Sequence, residues 1–355
     1  MEIAEVKISK RKLKGLLQDT QKTAEIIDLV YVSDKDPGIE RVRKGKGFIY
    51  LKNGKRIGDE KELWRIRKLV IPPAWENVWI CSLPNGHLQA TGYDVKKRKQ
   101  YRYHPLWSEF RNQTKFYQLL EFGKKLPTIR EQLEKDLSKP GMPLEKVLAA
   151  VVMIMQETHI RVGNSMYEKL YGSFGLTTLK DQHVKINGNS VKFSFKGKKG
   201  VYHEIDLKSA RLARIIKKCR DIPGKELFQY YDENGERKSI DSGMVNEYIK
   251  NICCATFTTK DFRTWTGSVQ AIEAFKDVLC CDNEAERKKN IVQVLDTVAK
   301  RLGNSRAVSK KYYVHPQILE MYETGQLDKC FEKSGNGRDK FSAAECILMQ
   351  ILEGT

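Results

Sequence analysis

The sequence predicts an α+β protein. A small β-rich N-terminal domain is followed by a larger, mainly α-helical domain that carries a β-hairpin insert. Three observations predict it. Short apolar runs between Gly-rich turns fill the first third of the chain. Apolar residues at helical spacing dominate the remainder. A strand pattern returns only at 183–206, inside the helical part.

In chain order, RKGKGFIYLKNGKRIG at 43–58 sets the apolar strand FIYL between glycine turns. VWICSLPNGHLQATGYD at 78–94 holds two strand-like runs joined by Pro84-Asn85-Gly86, a hairpin signal. KKRKQYRYHP at 96–105 interleaves basic and aromatic residues. A domain boundary is expected near 110, giving an N-terminal domain 1–110 and a catalytic domain 111–355. PLEKVLAAVVMIMQETHI, from Pro143 to Ile160, predicts a buried helix with proline in its first turn. HVKI and VKFSF are joined by Asn187-Gly188-Asn189, and VKFSF meets VYHEI through Lys196-Gly197-Lys198-Lys199-Gly200. NIVQVLDTVAKRL at 290–302 places apolar residues 291, 294, 295, 298 and 302 on one helix face, with Gly303 as the stop. Ser342 and Glu345 form a capping box for a last helix.

The 355 residues suffice for two domains, each with its own core. Lys and Arg number 64 against 45 Asp and Glu, a formal charge of +19. So large an excess favours polyanion partners, nucleic acid first. The N-terminal stretch MEIAEVKISKRKLKGLLQDT lacks the apolar core of a targeting signal. The longest apolar run, VLAAVVMIM at 147–155, is far short of the roughly 20 residues that span a membrane. A cytoplasmic protein is expected. The eight cysteines include the pairs Cys253–Cys254 and Cys280–Cys281 but no CxxC, and are read as reduced thiols. The sequence has no HExxH, phosphate-binding GxxxxGK[ST] or EF-hand loop, so no cofactor or metal is expected.

A tyrosine that cuts a phosphodiester faces two obstacles. Its pKa near 10 leaves about a thousandth of it ionised at pH 7, and the phosphate it attacks is an anion. Arginines around the non-bridging oxygens answer the charge problem, and a lysine among cations can donate a proton to the leaving alkoxide. The sequence offers Arg161 in ETHIRVGN, Lys198 in a hairpin turn, Arg263 in TTKDFRTW, Asn304 in RLGNS, and Tyr313 nine residues later. Each has an ordinary alternative: a helix-end cation, a solvated turn lysine, a salt bridge to Asp261, a helix cap, a packing phenol.

Their order decides. The chain resembles the type IB DNA topoisomerases, in particular the compact poxvirus and bacterial branch. IPPAWENVWIC…NGHLQATGYDVKKRKQYRYH resembles that branch's N-terminal domain. ETHIRVGN, FSFKGKKGVYHEI, TTKDFRTW and LGNSRAVSKKYYVHP resemble its catalytic motifs, in order. The resemblance implies the tyrosine-recombinase/type IB topoisomerase fold. It makes Tyr313 the nucleophile forming a 3′-phosphotyrosyl bond. Arg161, Arg263 and Asn304 would contact the non-bridging oxygens, and Lys198 would be the general acid. Lys260 would help to position or protonate. Gln100, Tyr101 and Tyr103 would line the DNA major groove. The reaction would need neither ATP nor metal, and a monomer would clamp duplex DNA in the nucleoid. Viral and eukaryotic members generally carry histidine where this chain has Asn304, an amide that still donates a hydrogen bond but carries no charge. Tyr312, pointing roughly 100° away from its neighbour on a helix, is assigned to packing or a phosphate contact. A tyrosine recombinase is the nearest rival, but those enzymes usually carry His-x-x-Arg where this chain has Lys260-Asp-Phe-Arg263. A non-catalytic basic DNA-binding protein would form no covalent adduct. A metal-dependent nuclease would need clustered carboxylates near these motifs.

Overall fold

The computed structural model describes residues 20–95, 97–278, 283–333 and 340–354. The N-terminal stretch read for targeting (apart from Thr20), Lys96 and the Cys280–Cys281 pair lie outside the described residues. The chain divides into two compact units, one up to residue 115 and one from 116 onward.

An antiparallel sheet organises the first unit. Its strands are β1 (Ile39–Lys44), β2 (Gly47–Lys52), β3 (Lys55–Arg56), β4 (Glu76–Ile80), β5 (Leu88–Tyr93) and β6 (Lys99–Tyr103), in the order β3-β2-β1-β4-β5-β6. Two helices, α1 (Thr20–Ile26) and α2 (Glu60–Lys68), interrupt what reads in sequence as strands and turns alone. For α2 the signals are local. Asp59 accepts from the N–H groups of Lys61 and Glu62, and Arg65, Arg67 and Lys68 close the last turn against the helix dipole. Ile66 carries α2 onto the sheet, where it packs with Ile39, Val78, Ile80 and Ala90. β6 is an edge strand of the sheet.

The helix α3 (Pro105–Ser138) runs without a break through position 110. From Phe116 onward it belongs to the helical core. α4 (Leu144–Thr158) is apolar nearly all round and buried accordingly. It is shorter than its sequence pattern at both ends. Pro143 is extended and caps the helix from outside, and His159 ends it in the left-handed region at φ 57°. Then come α5 (Ser165–Tyr171), strands β7 (Val184–Asn187), β8 (Ser190–Lys196) and β9 (Tyr202–Lys208), and α6 (Ala210–Asp221). The expected hairpin insert is thus a three-stranded antiparallel meander in the order β7-β8-β9. A second small hairpin, β10 (Gln229–Tyr231) with β11 (Arg237–Ser239), was not anticipated, because three-residue strands are too short to show a period.

The rest is helical: α7 (Ser242–Cys253), α8 (Thr259–Lys276), α9 (Glu284–Leu302), α10 (Arg306–Tyr312), α11 (Pro316–Glu323), α12 (Gln326–Lys333) and α13 (Ala343–Glu353). Ile291, Val294, Leu295, Val298 and Leu302 of α9 are all buried, and Gly303 ends the helix at φ 60°. The Ser342–Glu345 capping box opens α13. Cys253 is a buried thiol and its neighbour Cys254 an exposed one.

Candidate active site

The left-handed turn at His159 throws the chain off the end of α4, and Arg161 follows two residues later, outside any helix or strand. Its carbonyl accepts from the Leu176 N–H (2.9 Å), and that of Val162 from the Thr177 N–H (2.7 Å), so the segment is fixed before its side chain does anything. The Arg161 guanidinium reaches the chain after α9. Its Nη2 donates to Asn304 Oδ1 at 2.6 Å and lies 3.4 Å from the Gly303 carbonyl.

Arg263 projects from the first turns of α8. Thr258 and Asp261 start that helix with a capping box, which occupies Asp261 and leaves Arg263 to other partners. The Arg263 side chain is buried. Nη1 donates to the His159 carbonyl (2.6 Å) and Nη2 to the Leu302 carbonyl (2.7 Å). Those are carbonyls at the C-terminal ends of α4 and α9, where helix dipoles favour a cation. One guanidinium therefore ties two helix ends together. Its Nε is buried without a partner, as is Asn304 Nδ2. Two unspent donors sit in one small site, an arrangement that costs free energy until an acceptor arrives.

Tyr313 follows α10 directly and is half-buried. Its phenol lies within hydrogen-bonding reach of both Arg161 and Arg263, and the Arg263 guanidinium is 5.4 Å from its ring centroid. Tyr312 is exposed, with the Lys311 ammonium 5.5 Å from its ring. The two adjacent phenols thus have different surroundings.

Lys198 stands in the turn between β8 and β9, held by Gly197 N–H to Val201 O (2.7 Å) and Gly200 N–H to Gly197 O (3.1 Å). Lys199 beside it takes φ 63°. Lys198 lines a cleft with Arg161, His159, His203 and Arg301. Although the residue is exposed overall, its pKa is lowered, by desolvation first and then by the charge of Arg161, with Lys199 and Lys260 adding smaller effects and Tyr313 opposing. Burial and then the Arg161 charge pull Arg263 down to about 10. Desolvation likewise lowers Arg161, with Tyr313 opposing. Lys260, exposed at the start of α8, contributes its field to Lys198. The structure thus brings Arg161, Lys198, Arg263, Asn304 and Tyr313 to one place from four separate stretches of the chain.

The other sequence candidates lie on β6 in the first unit. Tyr101 and Tyr103 share one face, exposed, with rings stacked 6.0 Å apart. Alternation puts Gln100 on the opposite face, where its Nε2 donates to Asp94 Oδ2 at 3.2 Å. Lys99 pairs with Asp34.

Two family models match the chain. The model of the eukaryotic DNA topoisomerase I catalytic core matches residues 97–335, and that of the bacterial DNA topoisomerase IB N-terminal domain matches residues 47–94. DNA topoisomerase 1B of Acanthamoeba polyphaga mimivirus is 34% identical over 295 residues, covering 81% of this chain and 88% of its own. DNA topoisomerase 1B of vaccinia virus (strain Copenhagen) is 28% identical over 249 residues, 70% of this chain and 76% of its own. The chain belongs to the type IB DNA topoisomerase family.

In this type IB topoisomerase several contacts escape sequence reasoning. His159 and Leu302 act through main-chain carbonyls, which carry no residue signal. Gly267 of α8 lies so close to Tyr313 that a Cβ there would stand 2.6 Å from the Tyr313 carbonyl oxygen and 2.8 Å from its Cβ. Ser268 is buried; its hydroxyl donates to the Tyr313 carbonyl (3.2 Å) and accepts from the His315 N–H (3.1 Å). A glycine in the middle of a helix is the one visible signal, since helices tolerate it only for a packing reason. Among the described residues, no helix is long and apolar enough to cross a membrane.

Proposed function

We propose that this topoisomerase relaxes positive and negative supercoils by cutting one strand through Tyr313, letting it rotate about the intact strand, and resealing it. The phenol of Tyr313 loses its proton to water and its oxygen attacks the phosphorus, forming a 3′-phosphotyrosyl bond. The P–O5′ bond breaks, and Lys198 gives its proton to the leaving 5′-oxygen. Arg161, Arg263 and Asn304 carry the charge that gathers on the non-bridging oxygens. Resealing is the reverse, with the 5′-hydroxyl as nucleophile. The phosphodiester energy stays in the covalent bond, so ATP is not consumed, and the cationic set supplies the charge stabilisation for which other enzymes use a metal.

The observation that carries this reading is the Tyr313 phenol within reach of two guanidiniums. The lowered Lys198 pKa supports its role, because an ammonium that gives up its proton more readily is the better acid. Lys260 assists Lys198 electrostatically. Tyr101 and Tyr103 meet the DNA major groove from the exposed face of β6, and Gln100, on the opposite face of this edge strand, reaches a base edge by giving up Asp94 and turning round the edge. The enzyme acts as a monomer engaging duplex DNA with both units, in the bacterial cytoplasm at the nucleoid. The larger unit carries the tyrosine-recombinase/type IB catalytic fold.

The test is relaxation of negatively and positively supercoiled plasmid in EDTA without ATP. Wild-type protein and Tyr312→Phe relax both; Tyr313→Phe relaxes neither and forms no detergent-stable adduct with DNA. Relaxation by Tyr313→Phe at the wild-type rate overturns the proposal.

A further inference from the structure

His203 lies on β9 directly across from Phe195 of β8, and the two rings stack with centroids 5.2 Å apart. Its imidazole fills the space beside two glycines far apart in sequence. A Cβ on Gly197 would stand 2.6 Å from His203 Cδ2 and Nε2, and a Cβ on Gly303 would stand 2.6 Å from His203 Cε1. Gly197 immediately precedes Lys198, and Gly303 immediately precedes Asn304. The ring therefore fills the gap between the turn that carries Lys198 and the loop that meets Arg161. The Phe174 N–H donates to the Lys196 carbonyl at 2.8 Å. The Lys198 turn is thus held at its base by a main-chain bond and beside it by an aromatic spacer. Desolvation, with Arg161 and Arg263 nearby, lowers the His203 pKa, so the spacer stays neutral beside the guanidiniums.

We infer that His203 is a positioning residue that fixes the placement of Lys198 relative to the bound phosphate, by packing its ring between Gly197 and Gly303. The inference rests on the proposed role of Lys198 as the general acid. Without the ring, the Lys198 turn gains room to sway, and an acid displaced by about 1 Å delivers its proton poorly. Arg263 keeps its bonds to the His159 and Leu302 carbonyls and Asn304 its main-chain bond to Ala299, so the defect falls mainly on the leaving group.

The experiment uses the full-length protein and single-turnover cleavage of a duplex at a site first mapped with the wild type. The scissile phosphate carries either the natural 5′-oxygen or a bridging 5′-sulfur. A thiolate leaves without a proton donor, because thiols ionise near pH 8.5. His203→Ala is expected to cleave the 5′-oxygen substrate ~10- to 100-fold slower than wild type and the 5′-sulfur substrate at the wild-type rate. Gly197→Ala, whose methyl would press on the same ring from the other side, gives the same pattern and serves if His203→Ala does not fold. Wild-type cleavage of the 5′-oxygen substrate by these variants, or equal slowing on both substrates, overturns the inference. Lys198→Ala is the control. If sulfur rescues Lys198→Ala but not His203→Ala, the positioning role alone fails. If it does not rescue Lys198→Ala, the assignment of the acid fails and takes the positioning role with it.

Discussion

Replacing Gly267 with alanine separates two effects that usually travel together. In a helix interior alanine is favoured over glycine by about 1 kcal/mol, so on backbone grounds α8 should gain. The new methyl, however, would stand 2.6 Å from the Tyr313 carbonyl oxygen and 2.8 Å from its Cβ, where ordinary contact begins at 3.4 Å. The first obstacle is main chain and cannot rotate away, so Tyr313 must retreat by about 0.8 Å from the helix that carries Arg263. Overpacking of this kind costs about 1–3 kcal/mol, which leaves a net stability loss of roughly 0–2 kcal/mol after the helix gain. The expected loss of rate is larger. A misplacement near 1 Å costs about a hundredfold, close to 3 kcal/mol of transition-state stabilisation. Urea melts and single-turnover cleavage on the same preparations give both numbers. Gly267→Ala cutting DNA at the wild-type rate would refute the reasoning, and so would a loss of rate fully matched by unfolding under assay conditions.

Asn304→Ala removes the 2.6 Å acceptor of Arg161 and the unspent Nδ2 donor, while the Asn304 main-chain bond to Ala299 O (2.8 Å) survives. Cleavage should fall about a hundredfold with an unchanged melting temperature; a fall of less than about threefold would assign Asn304 to loop structure alone. His159 has its pKa lowered from 6.5 to about 4, by burial first and then by Arg263 and Arg301. The unfolded chain takes up that proton first, so this contribution to stability is complete above pH 6.5 and is lost as pH falls through about 4. His159→Asn keeps a residue that tolerates φ 57° and the carbonyl that holds Arg263. Between pH 7 and 4.5 the wild type should lose about 2 kcal/mol more than this variant. His315, which also has a pKa lowered to about 4, is common to both proteins and drops out of the comparison. Equal losses in urea melts at the two pH values would show that His159 is not the group titrating.

The elements read best from sequence were those with long periodic patterns or glycine stops. α4, α9 and the β7–β9 strands follow their apolar spacing, and Gly188 and Gly303 take the positive φ their turns require. Where the reading failed, elements were short or set by position. β10 and β11 carry no measurable period, α2 depends on a one-residue cap, and Pro143 is extended and stands one residue outside its helix. At the site, Arg161, Lys198, Arg263, Asn304 and Tyr313 were legible only because their motifs, in order, resemble those of the type IB family; taken singly each had an ordinary alternative. The main-chain carbonyls of His159 and Leu302, the bare flank of Gly267 and the spacer His203 were not, since they act by shape and location and leave the chemistry to others.

Arg263 reaches across to the ends of two helices, and its neighbours arrive from turns and loops scattered between residues 159 and 313. A chain only part-way folded therefore owns every residue of the candidate site and none of their mutual geometry. An enzyme proposed to leave DNA cut for a moment has reason to be built this way. Local unfolding of α4, α8 or α9 would separate these contacts.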